Sequence, residues 1–254
     1  MQPEKSLPKL AIVALTIVMA SIMSEAAYSQ GVSTPDSLCP WRGGANRCYS
    51  HVWLTYFEPI YSGVHGTIGV ADPILRESTA TSGAHVSIVT ESGGWLELGW
   101  TKQASNHNCD PWLYWARNPG NPQFSGYLSS GHKIRLTIAL VDEDMGWWLL
   151  KAYYDDTNQE LLYLQPIATV PSFSRGHQLQ ANGEVGPHTT NDMGVSYLTN
   201  LKFRKQPGNG WFTWVSPYAT VDPTSGTPYR VANAGADYNW VVWGGQGQLG
   251  YYCQ

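Results

Sequence analysis

Trp95-Leu96-Glu97-Leu98-Gly99-Trp100 is the stretch on which the fold turns. Successive side chains of a strand point to opposite faces, so Leu96, Leu98 and Trp100 share one face and Trp95, Glu97 and Gly99 the other. The first set reads as a core face. The second carries a carboxylate beside an indole, with glycine leaving space next to it. For a strand glutamate taken by itself the commoner reading is the plainer one, a half-solvated sheet in which Glu97 only meets water. Outward from it, short runs of β-branched and aromatic residues recur between Gly, Pro, Asn and Asp, and they predict strands near 51–57, 63–70, 84–91, 95–102, 113–116, 132–142, 147–154, 161–167, 179–185 and 195–204, with a last strand region at 237–253. No segment sustains a period of 3.6 residues, and 26 glycines and 16 prolines interrupt the chain too often for a helical bundle. The expected fold is all-β: two antiparallel sheets packed as a concanavalin-like β-sandwich or jelly roll, with the site on a concave sheet.

With 43% hydrophobic and 13% charged residues, the 254-residue chain can bury one sizeable core. A formal charge of −4 gives no electrostatic footprint for nucleic acid or an anionic membrane. Lys5 and Lys9, the apolar run 10–23, and the small residues Ala26, Ala27 and Ser29 follow the order of a secretory leader, with cleavage near Ser29-Gln30. The run is shorter than the roughly 20 residues of a transmembrane span; an uncleaved anchor is the alternative. The expected organisation is therefore a signal peptide at 1–29, an irregular disulfide-bearing lead-in at 30–50, and a single domain at 51–254. The mature protein is expected to be secreted, monomeric and free of the membrane. Export permits oxidation, so Cys39, Cys48, Cys109 and Cys253 read as two disulfides. Three connectivities are open; Cys39 with Cys48 and Cys109 with Cys253 is the expected one.

The sequence contains no CxxC pair, zinc helix, nucleophile elbow or phosphate-binding loop, and neither a metal nor a cofactor is expected. A second carboxylate stands in Ala181-Asn182-Gly183-Glu184-Val185. Its Asn-Gly pair fits a hairpin turn as well as a strand interior. If Glu97 and Glu184 meet, like charges at close range keep one of them protonated. The pair then supplies one acid and one base, enough for hydrolysis by an activated water.

Trp95-Leu-Glu97-Leu-Gly-Trp100, Trp112-Leu-Tyr-Trp115, Asp144-Met-Gly-Trp147-Trp148, Gly183-Glu184-Val185 and Asp192-Met193-Gly194, in this order, resemble the neprosin glutamic peptidases. The stretch from His85 to Trp115 is also similar to the eqolisins, in which a Leu-Gln-Ala-Gly type of strand supplies a catalytic Gln where this chain has Glu97. Both resemblances imply a β-sandwich endopeptidase with Glu97 and Glu184 as the catalytic pair, a polypeptide substrate and an acidic optimum, and the neprosin one implies a taste for proline. Trp95, Trp148 and Tyr114 are the candidate substrate-binding residues, and Asn182 and Gln103, with Tyr114, the candidate oxyanion donors. The rival reading is a sandwich that binds or cleaves polysaccharide, which twelve tryptophans make easy to build. A non-catalytic surface module is the reading if the two glutamates lie on different faces.

Overall fold

The computed structural model describes residues 41–42, 45–56, 59–76, 79–90, 93–104, 109–118, 120–168, 175–186, 192–222 and 229–245. Among these the chain forms strands and no α-helix: β1 (Trp41–Arg42), β2 (Ala45–Asn46), β3 (Cys48–Thr55), β4 (Gly63–Gly69), β5 (Thr81–Val89), β6 (Trp95–Gln103), β7 (Pro111–Arg117), β8 (Gln123–Tyr127), β9 (Lys133–Asp142), β10 (Trp147–Tyr154), β11 (Glu160–Ala168), β12 (Gln178–Gly186), β13 (Ser196–Arg204), β14 (Phe212–Thr213), β15 (Tyr218–Asp222), β16 (Tyr229–Ala236) and β17 (Asn239–Gly244). A seven-stranded sheet runs β15-β3-β12-β5-β6-β7-β8. An eight-stranded one runs β11-β10-β9-β4-β13-β17-β16, with β14 beside β13. Neighbouring strands within both sheets are antiparallel, and the sheets pack face to face as the expected sandwich.

Alternation decides what fills the space between the sheets. Leu96, Leu98 and Trp100 from β6, Val86 and Ile88 from β5, and Leu179 and Ala181 from β12 are fully buried against Ile68, Ile138, Leu150 and Leu198 of the other sheet. Burying each large side chain contributes about 1.5–3 kcal/mol. Trp100 keeps its polar edge satisfied as well, because its indole Nε1 donates to the Gly69 carbonyl of β4 at 2.9 Å. Trp148 belongs to the same core: it lies on β10, fully buried.

The principal predicted strands are present, and the differences lie at edges. β8, β14, β15 and β16 were not anticipated. β8 and β14 are half or more exposed and carry no apolar alternation, and β16 reads Tyr-Arg-Val-Ala-Asn-Ala-Gly-Ala, in which little favours a strand. The stretch expected to be an irregular lead-in is partly strand, since β1 pairs with β2 and β3 opens at Cys48 rather than His51. Neither Cys48 nor Cys109 is a free thiol. Cys39 and Cys253 lie outside the described residues, as does the predicted leader, so the expected pairings do too.

Candidate active site

The face of the seven-stranded sheet turned away from the core carries a cleft of about 620 Å³. Its floor follows from register. His51 of β3, Asn182 of β12, His85 of β5, Gly99 of β6 and Tyr114 of β7 are successive Cα partners, so they form one row across five strands. Glu97 stands two residues along β6 from Gly99. Glu184 stands two residues along β12 from Asn182, and the antiparallel register places the two on opposite sides of the row. Both project from the cleft face.

His85 joins them. Its ring is 3% exposed and forms the floor. Its Nε2 lies 3.7 Å from Glu97 Oε2 and its Nδ1 3.9 Å from Glu184 Oε2, so one imidazole's width separates the carboxyls and their nearest oxygens are at most about 10 Å apart. Burial, His51 and Arg47 push the imidazole down to about 3, which keeps it neutral. The hydrogen bonds then fix its tautomer. Asn182 Nδ2 donates to Nε2 at 3.1 Å, leaving Nδ1–H to donate to the Tyr114 hydroxyl at 3.1 Å. Tyr114 in turn bonds Glu97. His51 Nδ1 holds the Asn182 oxygen at 3.0 Å, and Gln180 Oε1 takes the other Asn182 proton at 2.9 Å.

The two carboxyls have different surroundings. Glu97, with only 17% of its side chain exposed, is pushed up to about 7 by burial, against smaller opposing effects of Arg47 and the Tyr114 hydrogen bond. Glu184 is ion-paired with the Arg47 guanidinium, an opposite charge that favours the ionised carboxylate. Tyr114 is raised well above its ordinary range by burial and by Glu97, and stays a phenol.

Two glycines make room for this floor. A side chain on Gly99 would run into the Ala84 carbonyl and lie 2.5 Å from His85 Cβ, and one on Gly83 would meet the Trp100 carbonyl and come within 3.2 Å of Thr101 Cα. Gly183 faces the core instead, where a Cβ would sit 2.5 Å from Met193 Sδ and 2.8 Å from Val242 Cγ2. The Asn-Gly pair is thus inside strand β12 and is not a hairpin turn.

Of the residues singled out in the sequence, Glu97, Glu184, Trp95, Tyr114, Asn182 and Gln103 all line the cleft. Trp148 does not. It points into the core from the other sheet and walls no subsite. Asn182 spends both amide protons on Gln180 and His85, so it orients the floor and is no oxyanion donor. Sequence reasoning missed Arg47, the partner of Glu184, by placing it in a lead-in. The alternation of Cys48, Ser50 and Val52 against Tyr49, His51 and Trp53 is the signal that carries β3 back to it. It also missed the role of His85, because only the row across β12, β5 and β7 brings that ring between the glutamates.

The raised Glu97 gives a first expected result. Its carboxyl holds a proton in the folded chain between its ordinary 4.5 and about 7, where the unfolded chain has released it, so this contribution to stability declines as pH rises through that window. Buried His85 has the opposite sign, losing stability as pH falls from 6.5 toward 3. The comparison is therefore made between wild type and Glu97→Gln. Denaturant titrations should show the variant gaining up to about 3 kcal/mol on wild type between pH 4.5 and 7. A difference that does not change with pH would mean that Glu97 is not raised.

No family model matches the sequence, and no curated protein sequence matches it. Among solved structures the chain is similar to scytalido-glutamic peptidase with a transition state analog inhibitor, at a TM-score of 0.59 and 10% identity over 78% of this chain and 98% of that one. It is also similar to SCP-B, a member of the eqolisin family, in complex with the tripeptide Ala-Ile-His, at a TM-score of 0.53 and 11% identity with the same coverage. At such identities the likeness is one of fold. It runs to the eqolisin side of the resemblance read from the sequence, and no family model or curated sequence supports the neprosin side.

Proposed function

We propose that the chain is a secreted glutamic endopeptidase in which Glu184 is the general base and protonated Glu97 the hydrogen-bond donor. The observation that carries this reading is the placement of the two carboxyls in one cleft, on either side of a neutral His85, with one ion-paired and the other held protonated by burial. The sandwich shared with peptidases that bind a transition state analog and a tripeptide supports it. The site would take a polypeptide, and proline preference belongs to the same proposal.

A peptide bond lying over the His85 ring has Glu184 on one side and Glu97 on the other. Glu184 takes a proton from a water as that water's oxygen attacks the carbonyl carbon. The Glu97 carboxylic acid donates a hydrogen bond to the carbonyl oxygen as negative charge develops there. Collapse of the tetrahedral intermediate breaks the C–N bond, and the proton held by Glu184 passes to the leaving amine. In this scheme Glu97 does the work of an amide donor, which is the group eqolisins place at that position. Tyr114 and His85 are positioning residues that hold the Glu97 carboxyl.

Cleavage of a denatured protein between pH 2 and 9 tests the scheme. Wild-type activity should fall about tenfold per unit above pH 7, as Glu97 ionises. Glu97→Gln should keep activity within about tenfold of wild type below pH 7 and lose that alkaline limb, because Gln donates at any pH. Complete inactivity of Glu97→Gln with Glu97→Asp still active would show instead that Glu97 transfers its proton. No cleavage by folded wild type would remove the peptidase reading.

A further inference from the structure

The cleft's edge carries a row of aromatic rings. On the cleft face of β3, Tyr49, His51 and Trp53 occupy every second position, with Tyr49 and His51 ring centroids 4.8 Å apart and His51 and Trp53 6.0 Å apart. Trp53 is the register partner of Tyr218 on β15, and the two rings stack at 6.0 Å. Tyr218 also lines a separate groove of about 550 Å³, walled by Leu54, Tyr56, Ile60, Phe212 and Val215. A continuous row of rings therefore leads from Glu184, whose register partner on β3 is Tyr49, to an apolar groove at the end of the sandwich.

We propose that this track is an extended substrate-binding surface that takes an apolar, aromatic-bearing segment of the polypeptide, several residues from the scissile bond. The proposal rests on the peptidase reading of the cleft. Its walls are unusually open for such side chains: Tyr218 is 63% exposed, Val215 66% and Phe212 49%. Contiguous apolar surface of this kind marks an interaction site, whereas single exposed residues do not.

Two arguments select an extended peptide as the occupant. Tyr49, His51 and Trp53 are alternate residues of a strand, and alternate side chains of any extended chain recur about every 6.6 Å, so a peptide lying parallel to β3 sets every second side chain along the row. Tyr218, the groove's near wall, is level with Trp53, about 13 Å of strand from Tyr49, so the groove is reached some four residues from the bond held at Glu184. The groove's chemistry agrees. Leu54, Ile60, Phe212 and Val215 give it apolar walls for a side chain, and Thr55, Lys205, Thr213 and Ser216 give polar groups for a peptide's main chain.

The test uses two quenched fluorogenic peptides with one central sequence, extended at both ends either by Gly-Ser repeats or by alternating Leu, Tyr and Phe. The wild-type full chain is compared with Tyr218→Ser/Phe212→Ser and, separately, with Val215→Asp, each first shown to keep the wild-type melting temperature. The expected result is a KM for the apolar peptide about tenfold higher in the variants, with kcat unchanged and both constants for the Gly-Ser peptide unchanged. Equal KM values in variant and wild type would overturn the proposal. If wild type cleaves neither peptide, the peptidase reading fails by itself, and the track is judged by tryptophan-fluorescence titration with the apolar peptide. Saturable binding weakened about tenfold in the variants sustains the track; absent or unchanged binding overturns it, as does displacement of the peptide by laminarin oligosaccharides at lower concentration than by unlabelled peptide.

Discussion

Replacing Glu184 by Gln is expected to lower turnover of any cleaved peptide by about three orders of magnitude at every pH, with KM little changed. Gln has the shape of Glu and fills the same place on β12, so the row of His51, Asn182, His85 and Tyr114 is left intact. What it cannot do is take a proton from water. Arg47 loses its carboxylate, but its side chain is 41% exposed and is solvated in the variant, so the fold survives. The contrast with Glu97 gives this experiment its force. Both are glutamates on the same sheet face, and the same substitution should silence one and spare the other below pH 7, because one is used as a carboxylate and the other as an acid. Steady-state kinetics on both variants reads this directly. Equal tolerance of the two substitutions would sink the division of roles.

The second large effect is on stability. Gly99→Ala should cost about 3 kcal/mol or more and lower the melting temperature by about 10 °C. The methyl group would run into the Ala84 carbonyl and the His85 main chain, 2.6 Å from its Cα, and neither atom belongs to a flexible side chain that could turn aside. β5 and β6 must separate at the centre of the sheet to admit it. Gly126→Ala on β8 is the control, since nothing lies within 4 Å of the added carbon. A thermal melt that found the two variants alike would show that the close approach of β5 and β6 at His85 is not required. The separation would also move the imidazole between the two glutamates, so residual folded Gly99→Ala should be a poor catalyst.

Much of the architecture was legible because it rests on local alternation. Leu96, Leu98 and Trp100 against Trp95, Glu97 and Gly99 named the core face and the open face of β6, and burial follows that division. The half-exposed strands β8, β14 and β16 were illegible for the converse reason: with little to bury, they carry no pattern. Trp148 shows the limit of reading tryptophans. In Asp144-Met-Gly-Trp-Trp148 nothing local separates a ring that walls a cleft from one that fills a core, and adjacent residues of a strand take opposite faces. The choice between strand and hairpin at Asn182-Gly183 stayed open for a similar reason, since the need for glycine there comes from Met193 and Val242, 10 and 59 residues further along the chain.

The sequence by itself determined an all-β sandwich and a carboxylate on the open face of β6, because side-chain alternation is written in neighbouring residues, while Glu184 was singled out by a family resemblance. Only the tertiary structure decided that Arg47 pairs with Glu184, that His85 lies between the carboxyls, and that Glu97 is the one kept protonated. Those facts depend on the register of β3, β12, β5, β6 and β7 and on how much water each carboxyl retains. Strand pairing across more than 130 residues, from His51 to Asn182, sets both.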